Sequence, residues 1–434
     1  MGMNKLSLAK IACLVVLLQG KSSSEEWNQF RGASGNGVAS EGTFPTRWSD
    51  QSGIAWVAQL SGRGNSSPAI TRNRIDITTQ TEDQSLWLLS FDRHTGRQLL
   101  KLQLTRGNLT TTGAGNLYEH RHNAATPTPV GGENHAWVFF GTGELFCVDI
   151  QNAHVLWKRD LTQDYGSYDI SFGMASSPRV WKNLLYVACM TKGDSYVVAL
   201  DKLTGKDVWY REREFPSEKD GRDAYSTPVI AATQKRVELL VSGSDHIDAY
   251  DLLTGKQNWY SSGLSVDSPF GRVIASPVIS ENRVVAISAN PGGAGLGRVL
   301  GIRAGGSGNI TDTHREWSHE RSTPDSSSPV IVGNQLFLIT DSGIASSVNL
   351  DDGSVNWTKR LSPGPYHASL VAGDGRVYYL GIQGNCTVLN AREDGTIISV
   401  NQLSGTFYAT PALGYNHLYL RAYERLYAIN NTGQ

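Results

Sequence analysis

The sequence lacks most of the features that reveal chemistry. It has only 4 cysteines among 434 residues. Cys147, Cys189 and Cys386 lie beyond the N-terminal region, and their wide spacing matches no zinc-binding pattern. These three are an odd number, so at least one of their thiols is free. Because each lies in an apolar segment typical of a strand, we expect buried thiols and no disulfide framework.

The sequence also has no excess of charge of either sign and no catalytic motif. With 39 basic and 40 acidic residues and no charged run, the chain is not expected to bind nucleic acid or an anionic membrane. No G-x-S-x-G, H-E-x-x-H or paired-carboxylate spacing occurs. The glycine run 291–297 lacks a Lys-Ser/Thr step, so it predicts a wide hairpin connection and no phosphate site. We therefore assign no catalytic, metal-binding or cofactor-binding residue from motifs.

Long apolar runs are absent except near the N-terminus. Lys5 and Lys10 precede an apolar stretch, Ile11–Leu18, which is too short to span a bilayer but suits a secretory signal. Cys13 follows too little apolar sequence for a lipoprotein signal. We expect residues 1–24 to be a signal peptide and the mature chain to have no transmembrane helix. The protein is then exported, to the periplasm or cell envelope.

What the sequence does contain is an eightfold repeat. Each unit has a small residue followed by proline, then an apolar strand, a second strand and a glycine turn. The proline position is marked by Pro68, Pro129, Pro178, Pro228, Pro277, Pro329, a substituting Ser369, and Pro411. Successive marks lie 40 to 61 residues apart, which is about the length of a propeller blade.

Within each unit, short apolar runs alternate with D-G, N-G or T-G turns, which are antiparallel hairpin signals. The last unit stops without its final strand, and residues 54–60 before the first unit match what is missing. The sequence thus predicts an all-β, eight-bladed propeller of four-stranded antiparallel blades whose last blade is closed by an N-terminal strand. The propeller spans residues 54–434 and follows an N-terminal extension, residues 25–53.

A D-x-x-T-G turn precedes the outermost strand, as in Asp201–Gly205 and Asp251–Gly255. The aspartate can accept from N–H groups two or three residues later, and glycine tolerates a left-handed backbone. Four residues after the glycine position stands a tryptophan: Trp157, Trp209, Trp259 or Trp357. We expect each to pack between neighbouring blades.

The phrase A-L-D-x-x-T-G-K-x-x-W, complete at residues 199–209, resembles the repeat of quinoprotein-type, or PQQ-like, propellers. Trp27–Gly32 and residues 123–130 are similar to hallmarks of exported propeller-only proteins of planctomycete-type bacteria. A more distant likeness is to the outer-membrane assembly lipoprotein that acts as a scaffold. The resemblance implies a non-catalytic exported scaffold that binds a protein, peptide or carbohydrate partner on one face.

The enzymatic branch that the chain resembles implies an alternative, an alcohol or sugar dehydrogenase that uses PQQ and Ca²⁺. Those enzymes hold the quinone on the propeller axis between a tryptophan floor and adjacent cysteines. This sequence has no adjacent cysteines and lacks the long insertions that roof the pocket. We therefore expect no cofactor, with PQQ and Ca²⁺ only under the alternative.

Loops that lead into the innermost strands of a propeller crowd around its axis. The insert 106–123 carries His120 and His122, which could share a face and bind a metal or could belong to a polar partner-facing loop. Similar loops carry further polar residues. The candidates for one axial funnel are Asp169, Asp223, Asp267, Arg272 and the pair Tyr366–His367. The alternative is that all of them are solvated loop residues.

Overall fold

The computed structural model describes residues 26–109, 111, 121–213, 217, 219–233, 236–291, 296–392 and 394–431. The predicted signal segment lies outside this part of the chain. In the first half the strands are β1 (Ile54–Gln59), β2 (Ala69–Ile70), β3 (Arg74–Gln80), β4 (Ser85–Asp92), β5 (Gln98–Arg106), β6 (Val130–Gly131), β7 (His135–Phe139), β8 (Glu144–Asp149), β9 (His154–Asp160), β10 (Arg179–Trp181), β11 (Leu184–Cys189), β12 (Tyr196–Asp201), β13 (Asp207–Glu212), β14 (Val229–Ala232), β15 (Val237–Gly243), β16 (His246–Asp251) and β17 (Gln257–Ser262). In the second half they are β18 (Val278–Ser280), β19 (Arg283–Ser288), β20 (Arg298–Arg303), β21 (Gly308–Asn309), β22 (Arg315–His319), β23 (Val330–Val332), β24 (Gln335–Ile339), β25 (Ile344–Asn349), β26 (Val355–Arg360), β27 (Val371–Gly373), β28 (Arg376–Leu380), β29 (Asn385–Asn390), β30 (Ile397–Gln402), β31 (Ala412–Gly414), β32 (His417–Arg421) and β33 (Arg425–Ile429).

The strands form the eight blades of a propeller, as the repeat predicts. From the axis outward, blades 1 to 8 have the orders β2-β3-β4-β5, β6-β7-β8-β9, β10-β11-β12-β13, β14-β15-β16-β17, β18-β19-β20-β22, β23-β24-β25-β26, β27-β28-β29-β30 and β31-β32-β33-β1. Helix is confined to α1 (Leu161–Tyr165), α2 (Thr311–His314) and a 3-10 turn at Lys219–Arg222 within the described chain. Among these residues, no helix has the length and apolarity needed to cross a membrane.

Blade 8 is completed by both ends of the chain. Strand β1 pairs antiparallel with β33, with Trp56 opposite Ala428 and Ala58 opposite Leu426. Trp56 and Ala58 are the buried residues of β1 and face the core. The predicted closing strand is therefore confirmed, and it removes a sheet edge at each chain end.

Blade 4 differs from the prediction because it has a fifth strand. The connection between β20 and β22 reaches back as β21, whose Gly308 and Asn309 pair parallel with Trp259 and Tyr260 of β17. This outermost edge is thus covered by the next blade. This connection stands where other blades have the D-x-x-T-G turn, which blade 5 lacks. Because blade 5 departs from the repeat here, the repeat did not predict strand β21.

The D-x-x-T-G turns have the predicted geometry. In blade 3 the Asp201 carboxylate accepts from the N–H of Leu203 at 3.1 Å and from the N–H and hydroxyl of Thr204, both at 2.8 Å. The same three bonds recur at Asp251 in blade 4. Each turn therefore supplies its own polar partners and needs none from the neighbouring blade.

Tryptophans of the outermost strands pack against the turn glycines of the next blade, as predicted. Trp209 of blade 3 lies so close to Gly255 of blade 4 that a Cβ there would be 2.5 Å from its ring. Its indole N–H donates to the carbonyl of Leu252 at 2.9 Å. Trp157 meets Gly205, and Trp357 meets Gly395, in the same way. Trp259 is different: it is fully buried and donates to Glu238 of its own blade at 3.1 Å.

Replacing Gly255 by alanine should destabilise the propeller through this contact. Gly255 and Gly375 both have φ +66, but a Cβ at Gly375 would meet nothing within 4 Å. Gly375→Ala therefore reports backbone strain alone, about 1 kcal/mol, whereas Gly255→Ala adds overlap with Trp209 and should cost at least about 3 kcal/mol. Urea unfolding of both variants measures the difference. Equal decreases in the free energy of unfolding would show that the Trp209 indole moves aside without cost.

The cysteines are free and buried, as predicted. Cys147 and Cys189 belong to one apolar cluster formed by strands of blades 2 and 3. Burial raises the pKa of the Cys147 thiol to about 12 and that of Cys189 to about 11. These thiols are uncharged packing groups in the core that lies between adjacent blades.

Candidate ligand-binding site

Residues 27–39, called the plug below, cross one end of the propeller axis. Innermost strands are sheet edges, and their N–H groups need partners. The plug supplies oxygen acceptors to the innermost strands of five blades. The residues that donate main-chain N–H groups to it are Ile70, Gly131, Val180, Ile279 and Ala372. These blades lie all round the ring, so the plug closes this end of the axis.

Two buried arginines fix the plug in place. Arg179 of β10 donates from Nη2 to the carbonyl of Phe30 at 2.8 Å, from Nη1 to Gly32 at 2.9 Å and from Nε to Pro228 at 3.0 Å. Arg31 of the plug donates to the carbonyl of Pro329. Burial lowers the pKa of both to about 9, and the Arg179 charge adds to this effect at Arg31. Both guanidinium groups remain protonated at neutral pH.

A ring of hydroxyl groups surrounds the axis. Each hydroxyl belongs to the residue before the proline position, and it accepts the main-chain N–H of the corresponding residue in the preceding blade at 2.8–3.0 Å. The seven links run in one direction from Ser67 through Thr128, Ser177, Thr227, Ser276, Ser328 and Ser369 to Thr410. Among described residues, the Ser67 hydroxyl has no hydrogen-bond partner. The ring is thus interrupted beside blade 8, where the two chain ends meet.

This ring corrects the alignment of the seventh unit. Ser369 was expected to replace the proline, but it is the hydroxyl-bearing residue, because it accepts from the N–H of Ser328 at 3.0 Å. Leu370 therefore stands at the proline position. A leucine there is compatible with the fold because its N–H donates to the carbonyl of Ser328 at 3.1 Å.

Above the hydroxyl ring lies an axial cavity of about 590 Å³. One side chain from every blade lines it, always three residues before the proline position. These residues are Asn65, Thr126, Ala175, Tyr225, Ile274, Ser326, His367 and Tyr408. Phe30 of the plug also lines the cavity, which is therefore closed towards the plug. As formed by the described residues, the cavity opens on the opposite face of the propeller, called the open face below.

A polar cluster lies in the wall of the axial cavity. The Asp341 carboxylate is 2.9 Å from Nδ1 of His367 and accepts from the N–H and hydroxyl of Ser326, both at 3.2 Å. The Ser326 hydroxyl is 3.2 Å from the same Nδ1. In a Ser-His-Asp triad the serine and the aspartate use different ring nitrogens. This arrangement therefore orients His367 and does not activate the serine as a nucleophile.

Aromatic rings lie beside the polar cluster in the wall of the axial cavity. The His367 ring stacks on Tyr408 with centroids 5.7 Å apart, and Tyr408 stacks on Tyr423 at 5.4 Å. In another part of the wall the Arg272 guanidinium lies 4.2 Å from the centroid of the Phe172 ring. The cavity thus combines flat apolar surfaces with charged groups that are already engaged by neighbours.

Asp325, which lines the cavity beside Asp341, should make stability depend on pH. Burial and the Asp341 charge raise its pKa to about 6, against opposing effects of the Asn290 N–H, Arg272 and His367. Between pH 4 and 6 the folded state then binds more protons than the unfolded state, so the free energy of unfolding falls as pH rises through this window.

Asp325→Asn should remove that fall and increase the free energy of unfolding at pH 7 by about 1 kcal/mol, since solvent screens this half-buried group. Near pH 4 the substitution should have little effect. Urea unfolding at both pH values measures this, with Asp267→Asn, an exposed carboxylate, as the control. Equal effects of Asp325→Asn at the two pH values would contradict the assignment.

The structure brings three of the predicted residues, His122, Arg272 and His367, to the axial cavity. Burial, together with the Arg121 charge, lowers the pKa of His122 to about 4, so it is neutral at physiological pH. His120 lies outside the described residues, so its pairing with His122 stays a prediction. Across the described chain, no cluster of three or more His, Cys, Asp or Glu could hold a metal ion.

The other candidates lie elsewhere. The Asp223 carboxylate is buried and accepts the N–H of Ser171 at 2.8 Å, with Lys192 at 3.9 Å. Asp267 lines a neighbouring cavity of about 500 Å³, which also touches Arg272. Asp169 is exposed. Tyr366 is a core residue whose hydroxyl donates to Ser362 at 3.0 Å. The structure therefore does not bring these four residues of the predicted funnel to the axial cavity.

Asp325, Asp341, Tyr408 and Phe172 were missed, although the repeat carried a signal for some of them. Counting three residues back from each proline position would have found Ser326 and Tyr408 as members of the cavity wall. Phe172 and Asp341 lie in loops of variable length, where the repeat gives no register. Phe30 belongs to the plug, which is not part of the repeat.

Two comparisons place the chain among known proteins. The family described as outer membrane protein assembly factor BamB matches residues 38–188 and 90–359. No curated protein sequence matches the chain. Among solved structures, BamB from Moraxella catarrhalis is 14% identical with a TM-score of 0.61, covering 87% of this chain and 99% of that one.

Enzymes of the same architecture are also similar. A europium-containing methanol dehydrogenase is 9% identical with a TM-score of 0.66, covering 94% of this chain and 98% of the enzyme. The quinohemoprotein alcohol dehydrogenase ADHIIG from Pseudomonas putida HK5 is 12% identical with a TM-score of 0.63, covering 95% of this chain and 81% of the enzyme. At such identities the likeness concerns the fold alone.

Proposed function

We propose that this chain, which belongs to the family of the outer membrane protein assembly factor BamB, is an exported, non-catalytic scaffold that binds a partner on its open face. One observation carries the proposal. The axial cavity is sealed by the plug on one face and is lined towards the other by a different side chain from each blade. A rigid ring with variable loops on one accessible face is suited to recognition.

The polar cluster offers no activated serine nucleophile. Asp341 and Ser326 both approach Nδ1 of His367, so these contacts orient the imidazole and do not activate the serine hydroxyl. The cluster therefore supplies a fixed set of donors and acceptors in the wall of the axial cavity.

A PQQ- and Ca²⁺-dependent dehydrogenase is the competing function, and only the shared architecture favours it. The described lining of the axial cavity contains neither tryptophan nor cysteine. The three described cysteines are buried in blade cores. The residues present therefore do not fit the quinone slot that the enzymatic branch implies, and no reaction step is assigned to them.

Site-specific photo-crosslinking tests the scaffold proposal. A photoreactive residue placed at Asp83 or Phe270 samples the open face, whereas one at Glu133 or Glu281, in hairpin turns beside the plug, samples the other face. All four positions are exposed. Irradiation of the chain in a cell-envelope preparation should give discrete adducts from the open-face positions only. Adducts from the plug side alone, or from no position, would contradict the proposal.

A further inference from the structure

We propose that the axial cavity binds an uncharged terminal sugar residue, the end of a saccharide chain carried by the partner. The inference rests on the proposed function, because the sugar is the part of the partner that enters the open face. The juxtaposition behind it is a closed floor with the aromatic ring of Phe30, a wall of hydroxyl groups, and equal numbers of arginines and aspartates in the lining of the cavity.

The shape of the cavity selects an end group. Its volume of about 590 Å³ lies within the range of about 300–1,000 Å³ typical of small-ligand sites. Because the plug crosses the axis beneath it, a polymer cannot thread through the ring. A ligand must therefore enter from the open face by one end and stop above Phe30.

The charges favour a neutral ligand. The charged side chains in the lining of the axial cavity are two arginines, Arg121 and Arg272, and two aspartates, Asp325 and Asp341. The Arg272 guanidinium acts electrostatically on Asp325. Because the two signs are equal in number, a ligand charge would lose its hydration without meeting an excess of the opposite sign, which is costly.

The hydrogen-bonding groups suit hydroxyls. A sugar hydroxyl both donates and accepts, so it needs a wall that offers both functions. The carboxylates of Asp325 and Asp341 accept. Each hydroxyl of the axial ring from Thr128 to Thr410 accepts a main-chain N–H, which leaves its own proton as a donor. Asn65 adds an amide to the wall.

The aromatic floor and the occupied main chain favour a sugar over a peptide. The C–H-rich face of a sugar can cover an aromatic ring, and Phe30 presents such a ring at the floor of the cavity. A peptide that binds by strand addition needs free N–H groups on a sheet edge. At the axis, the plug and the hydroxyl ring already take such groups, for example at Ile279 and Ser276.

Calorimetric titration of the full mature chain tests the inference with matched sugars. The neutral probes are D-glucose, D-galactose and N-acetyl-D-glucosamine, and the charged counterparts are D-glucuronic acid and D-glucosamine. At least one neutral sugar should saturate with a Kd of about 1–10 mM, as expected for so small a ligand, and its charged counterpart should bind at least about tenfold more weakly.

Two variants locate the binding. Phe30→Ala should raise the Kd at least about tenfold, because it removes the stacking surface at the floor. Phe270→Ala removes an aromatic ring that is 52% exposed on the open face outside the axial cavity, and it should leave the Kd unchanged. Asp325→Asn, which keeps the size of the side chain, should also weaken binding and guards against a folding defect in Phe30→Ala.

Several results would overturn the inference: no saturation by any neutral sugar at about 100 mM, tighter binding of a charged counterpart, or binding that survives both Phe30→Ala and Asp325→Asn. Saturation by an alanine–glycine tetrapeptide where the sugars fail would also overturn it, in favour of a peptide end. Open-face crosslinks without sugar binding would leave the scaffold proposal intact, whereas loss of those crosslinks would contradict the scaffold proposal itself.

Discussion

Replacing residues 54–60 by a glycine–serine heptapeptide is expected to abolish cooperative unfolding of the chain. These residues contain β1, which pairs with β33 through Trp56 and Ala58 and joins the N-terminal side of blade 1 to the sheet of blade 8. Without it, β33 becomes an open edge and the buried face of Trp56 is lost. Urea denaturation followed by circular dichroism measures the transition.

The replacement keeps the plug and the chain length, so it isolates strand closure. A chain that begins at residue 61 lacks both β1 and the plug and should also fail to unfold cooperatively. The reference is a chain that begins at residue 26. If the heptapeptide variant unfolds with the same midpoint and slope as this reference, β1 does not close the ring.

The substitution Arg179→Met is expected to lower the free energy of unfolding by about 3–5 kcal/mol. Its guanidinium joins blade 3, blade 4 and the plug through three main-chain carbonyls. Methionine fills a similar volume but removes the donor of all three carbonyls, of which only Gly32 keeps another, the N–H of Gly35 at 3.0 Å. Each carbonyl left without a donor costs about 1–3 kcal/mol, and the removal of a buried charge recovers only part of that loss. Urea unfolding gives the free energy.

Arg97→Met is the matched control, since Arg97 is exposed on an outer turn and should change stability by no more than about 0.5 kcal/mol. If Arg179→Met also opens the plug, protease cleavage should become faster within residues 27–39. Unchanged stability and unchanged cleavage would mean that the plug is held without the arginine.

The architecture could be predicted because each blade corresponds to one repeat of the sequence. The proline positions gave the number of blades, and the missing strand of the last unit identified residues 54–60 as its replacement. The turn aspartates and most of the outer tryptophans followed from local hydrogen bonding and packing. The fifth strand of blade 4 could not be predicted, because β21 arises where blade 5 departs from the repeat.

Part of the site was predictable from the loops that lead into the innermost strands. His122, Arg272 and His367 lie in such loops and reach the axial cavity. Asp223 comes close in sequence, but its carboxylate turns to the N–H of Ser171 in the neighbouring blade. The plug contacts strands that are far away along the chain, and its residues follow no period. Its role was visible only once Phe30 and Arg31 were placed against the axis.

The central claim, a non-catalytic scaffold with a single open face, is tested most directly by titrating the purified mature chain with PQQ in the presence of Ca²⁺. Absorbance and melting temperature are followed, and an alcohol or aldose is then added with a dye acceptor. A ligand that binds only the folded state raises the melting temperature by mass action. We predict no saturable change up to about 500 µM quinone and no reduction of the dye. Saturable binding together with dye reduction would contradict the account.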